Sequence, residues 1–189
     1  MYLKTLFTSP IIFQSACQWA LEYPIINGVP ITKQQETKWG NAIINQKTNT
    51  QWTTKVGEHL VFECLRKLDE NPRRPKKIQY YRPDWETDNY IYEVKTRSWA
   101  TKGTIGEKVL GTSLKYAEAP ELYNKPLRIV CVAFQEHELI YGNTPILGQH
   151  IRPNQQKILD FYKYNFNIEY MGCSDLIFNA RNKTGYSIL

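Results

Sequence analysis

Three stretches of the chain carry apolar residues at helical spacing. Between Thr53 and Leu68, the residues Val56, Leu60, Val61, Cys64, Leu65 and Leu68 form one stripe, with Glu58 off its centre and Glu63, Arg66 and Lys67 on the solvated side. Ser9 to Tyr23 repeats the pattern with Ile12, Ala16, Trp19 and Ala20, where Ser9 can cap and Pro10 suits the first turn. Asn154 to Tyr164 does so with Ile158, Leu159, Phe161 and Tyr162. Weaker signals predict a helix from near Thr32 towards Asn45, and helix in part of Gly106 to Tyr123, ending before Lys125-Pro126.

Other segments read as strands. Leu127 to Phe134 (Leu-Arg-Ile-Val-Cys-Val-Ala-Phe) is the most apolar run, and its length and β-branched content predict a strand buried on both faces. Ile78 to Tyr81, Ile168 to Met171 and Asp175 to Phe178 are short strand candidates, and Asp69 to Lys77, rich in proline and positive charge, reads as a solvated loop. Glu86-Thr87-Asp88-Asn89 predicts a hairpin-like turn into a strand from Asn89 to Ser98. On that strand Tyr90, Tyr92, Val94 and Thr96 share one face, and Ile91, Glu93, Lys95 and Arg97 share the other.

Candidate chemistry sits there. A carboxylate and an ammonium two residues apart stand side by side, and the preceding turn brings Asp84 near. Two converging carboxylates can hold a hard divalent cation through oxygen, and a neighbouring lysine can orient or deprotonate a water. Glu-x-Lys on a solvated strand is commonly no more than an ion pair of small energetic value. Here the flanking residues are apolar, and charges on such a strand are costly unless paired or used.

Pro83-Asp84 followed nine residues later by Glu93-Val94-Lys95 resembles the PD-(D/E)XK nuclease superfamily, over roughly Thr53 to Phe134. The resemblance implies a restriction-endonuclease-like α/β (α+β) core, a mixed sheet flanked by helices in the order α-β-β-β-α-β. It implies that Asp84 and Glu93 are metal ligands, that Lys95 orients water or stabilises the transition state, and that Glu58, in Gly57-Glu58, is an outer ligand or support. Mg²⁺ is the implied cofactor, with Mn²⁺ as substitute. The implied activity is endonucleolytic cleavage of double-stranded DNA by a homodimer of the type II restriction kind. A junction-resolving, repair or homing nuclease with the same site is the alternative, and a DNA-binding protein without catalysis is another. On this reading residues 1–50 are an N-terminal helical extension and a candidate DNA contact, and 51–189 the nuclease core.

Composition adds little but agrees. A length of 189 residues suits one compact domain, and a net charge of +6 is consistent with a polyanionic partner. Arg97, Lys102, Lys108 and Lys115 cluster after the Glu93 strand, as DNA phosphate contacts or as an exposed loop and polar helix face; both readings stay open. The four cysteines lack metal-binding spacing, and the three histidines read as structural or surface residues. No apolar run approaches the ~20 residues of a membrane span, and the first residues lack the pattern of a signal peptide. The expected location is cytoplasmic, without a membrane partner.

Overall fold

The computed structural model describes residues 10–22, 25–26, 29–30, 32, 34–35, 38, 52–97 and 105–185. The elements are α1 (Pro10–Glu22), β1 (Ile25–Ile26), β2 (Val29–Pro30), α2 (Trp52–Lys67), β3 (Trp85–Glu86), β4 (Ile91–Arg97), α3 (Ile105–Lys115), α4 (Ala119–Tyr123), β5 (Leu127–Ala133), α5 (Phe134–Tyr141), α6 (Pro153–Phe166), β6 (Ile168–Gly172) and α7 (Cys173–Thr184). Among the described residues β1 and β2 pair with each other in a separate two-stranded sheet. The remaining strands form one open mixed sheet in the order β3-β4-β5-β6: β3 is antiparallel to β4, while β4, β5 and β6 run parallel.

β5 is central and buried along its length except at Arg128, as its apolar sequence requires. The period-2 alternation of β4 and β5 splits the core into two layers. Tyr92, Val94, Val130 and Val132 pack against Ala16, Cys17, Trp19 and Ala20 of α1, Val56, Leu60, Val61, Cys64 and Leu65 of α2, and Cys173, Leu176 and Ile177 of α7. On the opposite face Ile91, Leu127 and Ile129 meet Tyr116, Ala119 and Ile168, and Cys131 meets Val109, Leu139 and Ile146. α1 thus belongs to the same core as the sheet. All four cysteines are buried and free.

Three sequence expectations are corrected. Asp175 to Phe178 is not a strand but the first half of α7. Its helix is held at the start by a distant group: the buried Glu136 carboxylate accepts the Ser174 N–H at 3.1 Å and the Ser174 hydroxyl. Short-range patterning cannot register such a cap. Ile78 to Tyr81 is a tight turn rather than a strand, closed by reciprocal hydrogen bonds between Ile78 and Tyr81 at 3.1 and 3.0 Å. Phe134 does not end β5 but opens α5, because Ala133 turns the chain at φ 56°. The predicted helix from Thr32 to Asn45 falls largely outside the described residues.

One more strand-like contact borders β3. Arg73 and Glu86 exchange backbone hydrogen bonds at 2.8 and 2.9 Å, a single-residue bridge on the outer edge of the sheet. Pro72 and Pro75 flank it, and proline cannot donate to a ladder, so the pairing stops there. No described helix is long and apolar enough to cross a membrane.

Candidate active site

The β3–β4 hairpin assembles the candidate residues. Trp85 pairs with Tyr92 and Glu86 with Ile91, and Thr87 N–H closes the turn on Tyr90 O at 2.8 Å. Asp84 sits just before β3 and is tied to β4 twice. Its N–H donates to Tyr92 O at 2.9 Å, and its Oδ2 accepts the Val94 N–H at 2.8 Å. Glu93 lies between those two anchor points, so a turn of fixed length delivers Asp84 beside it.

Glu93 is 6% exposed. Its Oε1 accepts from Lys95 Nζ at 2.6 Å, the side-by-side pair that strand alternation predicts. Its Oε2 is buried and accepts no hydrogen bond from the described residues. An orphaned carboxylate oxygen costs free energy in a dry site unless something else satisfies it.

α2 brings Glu58. A Cβ on Gly57 would lie 1.9 Å from Thr96 Oγ1, so the bare glycine is what lets this helix approach β4. Trp85 Nε1 donates to Glu58 O at 2.8 Å and locks helix to hairpin. The Glu58 carboxylate does not stand free: Arg74 Nη2 donates to its Oε2 at 2.7 Å. The other arm of Arg74 donates to Asp84 O at 2.9 Å and lies 3.9 Å from Asp84 Oδ1, and its guanidinium covers the Trp85 ring at 4.0 Å. The expectation that the Pro72–Lys77 run is merely solvated therefore fails at Arg74. Nothing in the local sequence distinguishes Arg74 from Arg73, which instead pairs with Glu86 and Asp88. Tyr116 is a second residue the sequence did not single out. It is buried, and its hydroxyl donates to Arg82 O at 3.5 Å; burial and then the charges of Glu93 and Asp84 raise its proton affinity.

Asp84 feels the other two carboxylates. The Asp84 pKa is pushed up from 3.8 to about 7, first by burial and then by the charges of Glu93 and Glu58, against the opposing effects of the Val94 N–H and Lys95. A cluster of carboxylates with one unmatched oxygen favours a cation, whose charge would reverse that shift. Asp84 and Glu93 thus fit a hard divalent metal as an oxygen-donor pair. Among the described residues no group of three or more His, Cys, Asp or Glu side chains forms a ready metal cage, and Glu58 is engaged by Arg74.

The expected DNA-contacting residues are placed unevenly. Lys115 ends α3, is exposed, and holds its ammonium 4.9 Å from the Tyr116 ring centre, beside the site. Arg97 is the last residue of β4 and Lys108 lies in α3, their side chains outside the described set; Lys102 falls outside the described residues altogether. His59 is buried in α2, and His137 stacks between Phe134 and Tyr141. Comparison with family models, with curated proteins and with solved structures returned no match.

Proposed function

We propose that this chain is a metal-dependent endonuclease with a PD-(D/E)XK-type site, acting on double-stranded DNA in the manner of a sequence-specific type II restriction enzyme. The observation that carries the reading is the arrangement of Asp84, Glu93 and Lys95. The half-buried Asp84 feels the charge of the buried Glu93, one Glu93 oxygen is unmatched among the described residues, and the Lys95 ammonium stands 2.6 Å from the other. The four-stranded mixed sheet with helices on both faces is compatible with the restriction-endonuclease-like core. The Arg73–Glu86 bridge would then stand where a further meander strand is expected.

In this mechanism Asp84 and Glu93 would hold the metal. A bound Mg²⁺ would polarise the phosphate and lower the pKa of an attacking water. Lys95 directs its ammonium toward the same space, where it orients that water and offsets negative charge developing on the phosphate oxygens. Burial of Glu93 lowers the local dielectric, so its charge acts more strongly than it would in water. Arg74 holds Glu58 and the Asp84 backbone in register and thereby fixes the spacing of the ligands. Glu58 supports from the second helix turn behind them. Double-strand cleavage from one site per chain needs two chains or two successive events, and a two-fold homodimer is the symmetric solution.

The test is cleavage of supercoiled plasmid with purified protein. Mg²⁺ or Mn²⁺ should support cutting, Ca²⁺ should support binding only, and chelator should abolish the reaction. Asp84→Ala and Glu93→Ala should each lose activity and cation binding, while Lys95→Ala should lose activity and keep cation binding. Full cleavage by Asp84→Ala, or by wild type in chelator, would reject this mechanism.

A further inference from the structure

The turn that replaces the expected strand at Ile78–Tyr81 lies immediately before Asp84 and has an unusual surface. Gln79 sits at φ 54°, a conformation that a non-glycine residue adopts at a cost. Tyr81 points inward and is buried, while Tyr80 points outward with 66% of its surface exposed. Tyr80 is not loose. Its ring lies 4.2 Å from that of Tyr81, and the two hydroxyls share a hydrogen bond at 2.9 Å. One side of the Tyr80 ring is therefore braced by protein while the rest faces solvent.

Positive charge surrounds this platform. Lys76, Lys77 and Arg82 are exposed, and among the described residues none of them makes an ion pair. Nearby acids are engaged elsewhere: Glu86 by Arg73 and Lys125, Asp88 by Arg73, Glu58 by Arg74. Glu118 accepts from the Tyr81 hydroxyl at 3.4 Å. The turn is also wired to the candidate active site. The Tyr81 ring lies 5.8 Å from Tyr116, whose hydroxyl donates to Arg82 O at 3.5 Å, and Arg82 is separated from Asp84 by Pro83 alone. The Tyr123 hydroxyl clamps both ends of the segment, donating to Lys76 O at 2.6 Å and Tyr81 O at 3.1 Å.

A rigid exposed ring among unpaired cations is the chemistry that receives an unstacked nucleobase while its flanking phosphates are neutralised. We infer that the Lys76–Arg82 turn is a docking surface for a locally unpaired DNA strand, with a base stacked on Tyr80 and phosphates on Lys76, Lys77 and Arg82. An intact duplex keeps its bases stacked on one another and offers Tyr80 no face. This inference rests on the nuclease reading for the role of the neighbouring carboxylates, and it adds to the duplex substrate of that reading a locally unpaired stretch beside the scissile bond.

The experiment measures binding of full-length protein in Ca²⁺ to two oligodeoxynucleotide duplexes, one fully paired and one with splayed single-stranded arms carrying 2-aminopurine. Wild type should prefer the splayed substrate and quench the probe. Tyr80→Ala should weaken that complex by about tenfold or more, leave the paired duplex within about twofold, and lose the quenching. Tyr80→Phe, which keeps the ring, should restore binding. Lys76→Gln, Lys77→Gln and Arg82→Gln should each flatten the salt dependence. Unchanged binding and quenching in Tyr80→Ala would overturn the proposal, as would equal losses on both substrates. Plasmid cleavage in Mg²⁺ separates the two claims. Cleaving wild type with a silent Tyr80→Ala rejects the docking surface alone. A Tyr80-dependent preference without any cleavage supports the surface and rejects the nuclease reading.

Discussion

Asp84 shows how a single residue records its surroundings. Its folded pKa of about 7 lies above its ordinary value of 3.8, so the folded protein holds this proton more tightly than the unfolded chain. Folding stability from this group is then fully present at acid pH, falls as the pH rises from about 4 to about 7, and stays lost above. Asp84→Asn, which keeps an acceptor for the Val94 N–H, should therefore be more stable than wild type at pH 8 in chelator, by at least about 1 kcal/mol or roughly 2–4 °C in Tm. The two proteins should converge near pH 4. Adding Mg²⁺ should raise the Tm of wild type and not of the variant. Thermal unfolding across pH, with and without the cation, reads all three; a variant less stable than wild type at pH 8 would mean that the carboxylate cluster is not strained by its own charge.

At the scale of elements, the seam between α2 and β4 sets the geometry of the site. Gly57 allows the helix to lie against Thr96, and Glu58 follows directly. Gly57→Ala should cost about 1–3 kcal/mol in urea unfolding through overpacking, despite alanine's better helix propensity, and should reduce any cleavage by displacing Glu58 and Arg74. Thr96→Ala in the same chain should recover part of the loss, since the clashing atoms all belong to Thr96. A Gly57→Ala protein as stable as wild type would place the close approach elsewhere. The helix itself was legible from its apolar stripe, and the strand from its alternation, because both reflect only period and burial. That the two meet at a glycine was not, since close approach depends on what lies opposite.

At the scale of the molecule, charge decides how a polyanion would be met. The net charge of +6 says nothing of where the cations stand. Lys115, exposed beside Tyr116, and the Lys76–Arg82 turn flank the same carboxylates from different elements. If both contact phosphate, Lys115→Gln should lower the salt slope of DNA binding by roughly 0.9, one phosphate's counterion release on duplex DNA. The loss should be similar for all sequences. A filter-binding salt titration measures this, and an unchanged slope would leave Lys115 in solvent with its ammonium on the Tyr116 ring.

The sequence by itself determined the α/β character, the central buried strand, the facing of Glu93 and Lys95, and the hairpin that carries Asp84 to them. Each follows from local period, chain reach or turn chemistry, which a linear text contains. Tertiary structure alone decided that Arg74 clasps Glu58, that Tyr116 closes over the carboxylates, that Glu136 caps α7, and that Tyr80 stands out on a strained turn. Those relations join residues many positions apart, and buried charge is satisfied by whichever partner the fold brings within reach. Arg73 and Arg74 are neighbours of the same type in the chain, yet they answer different carboxylates because the backbone between Pro72 and Pro75 aims them apart.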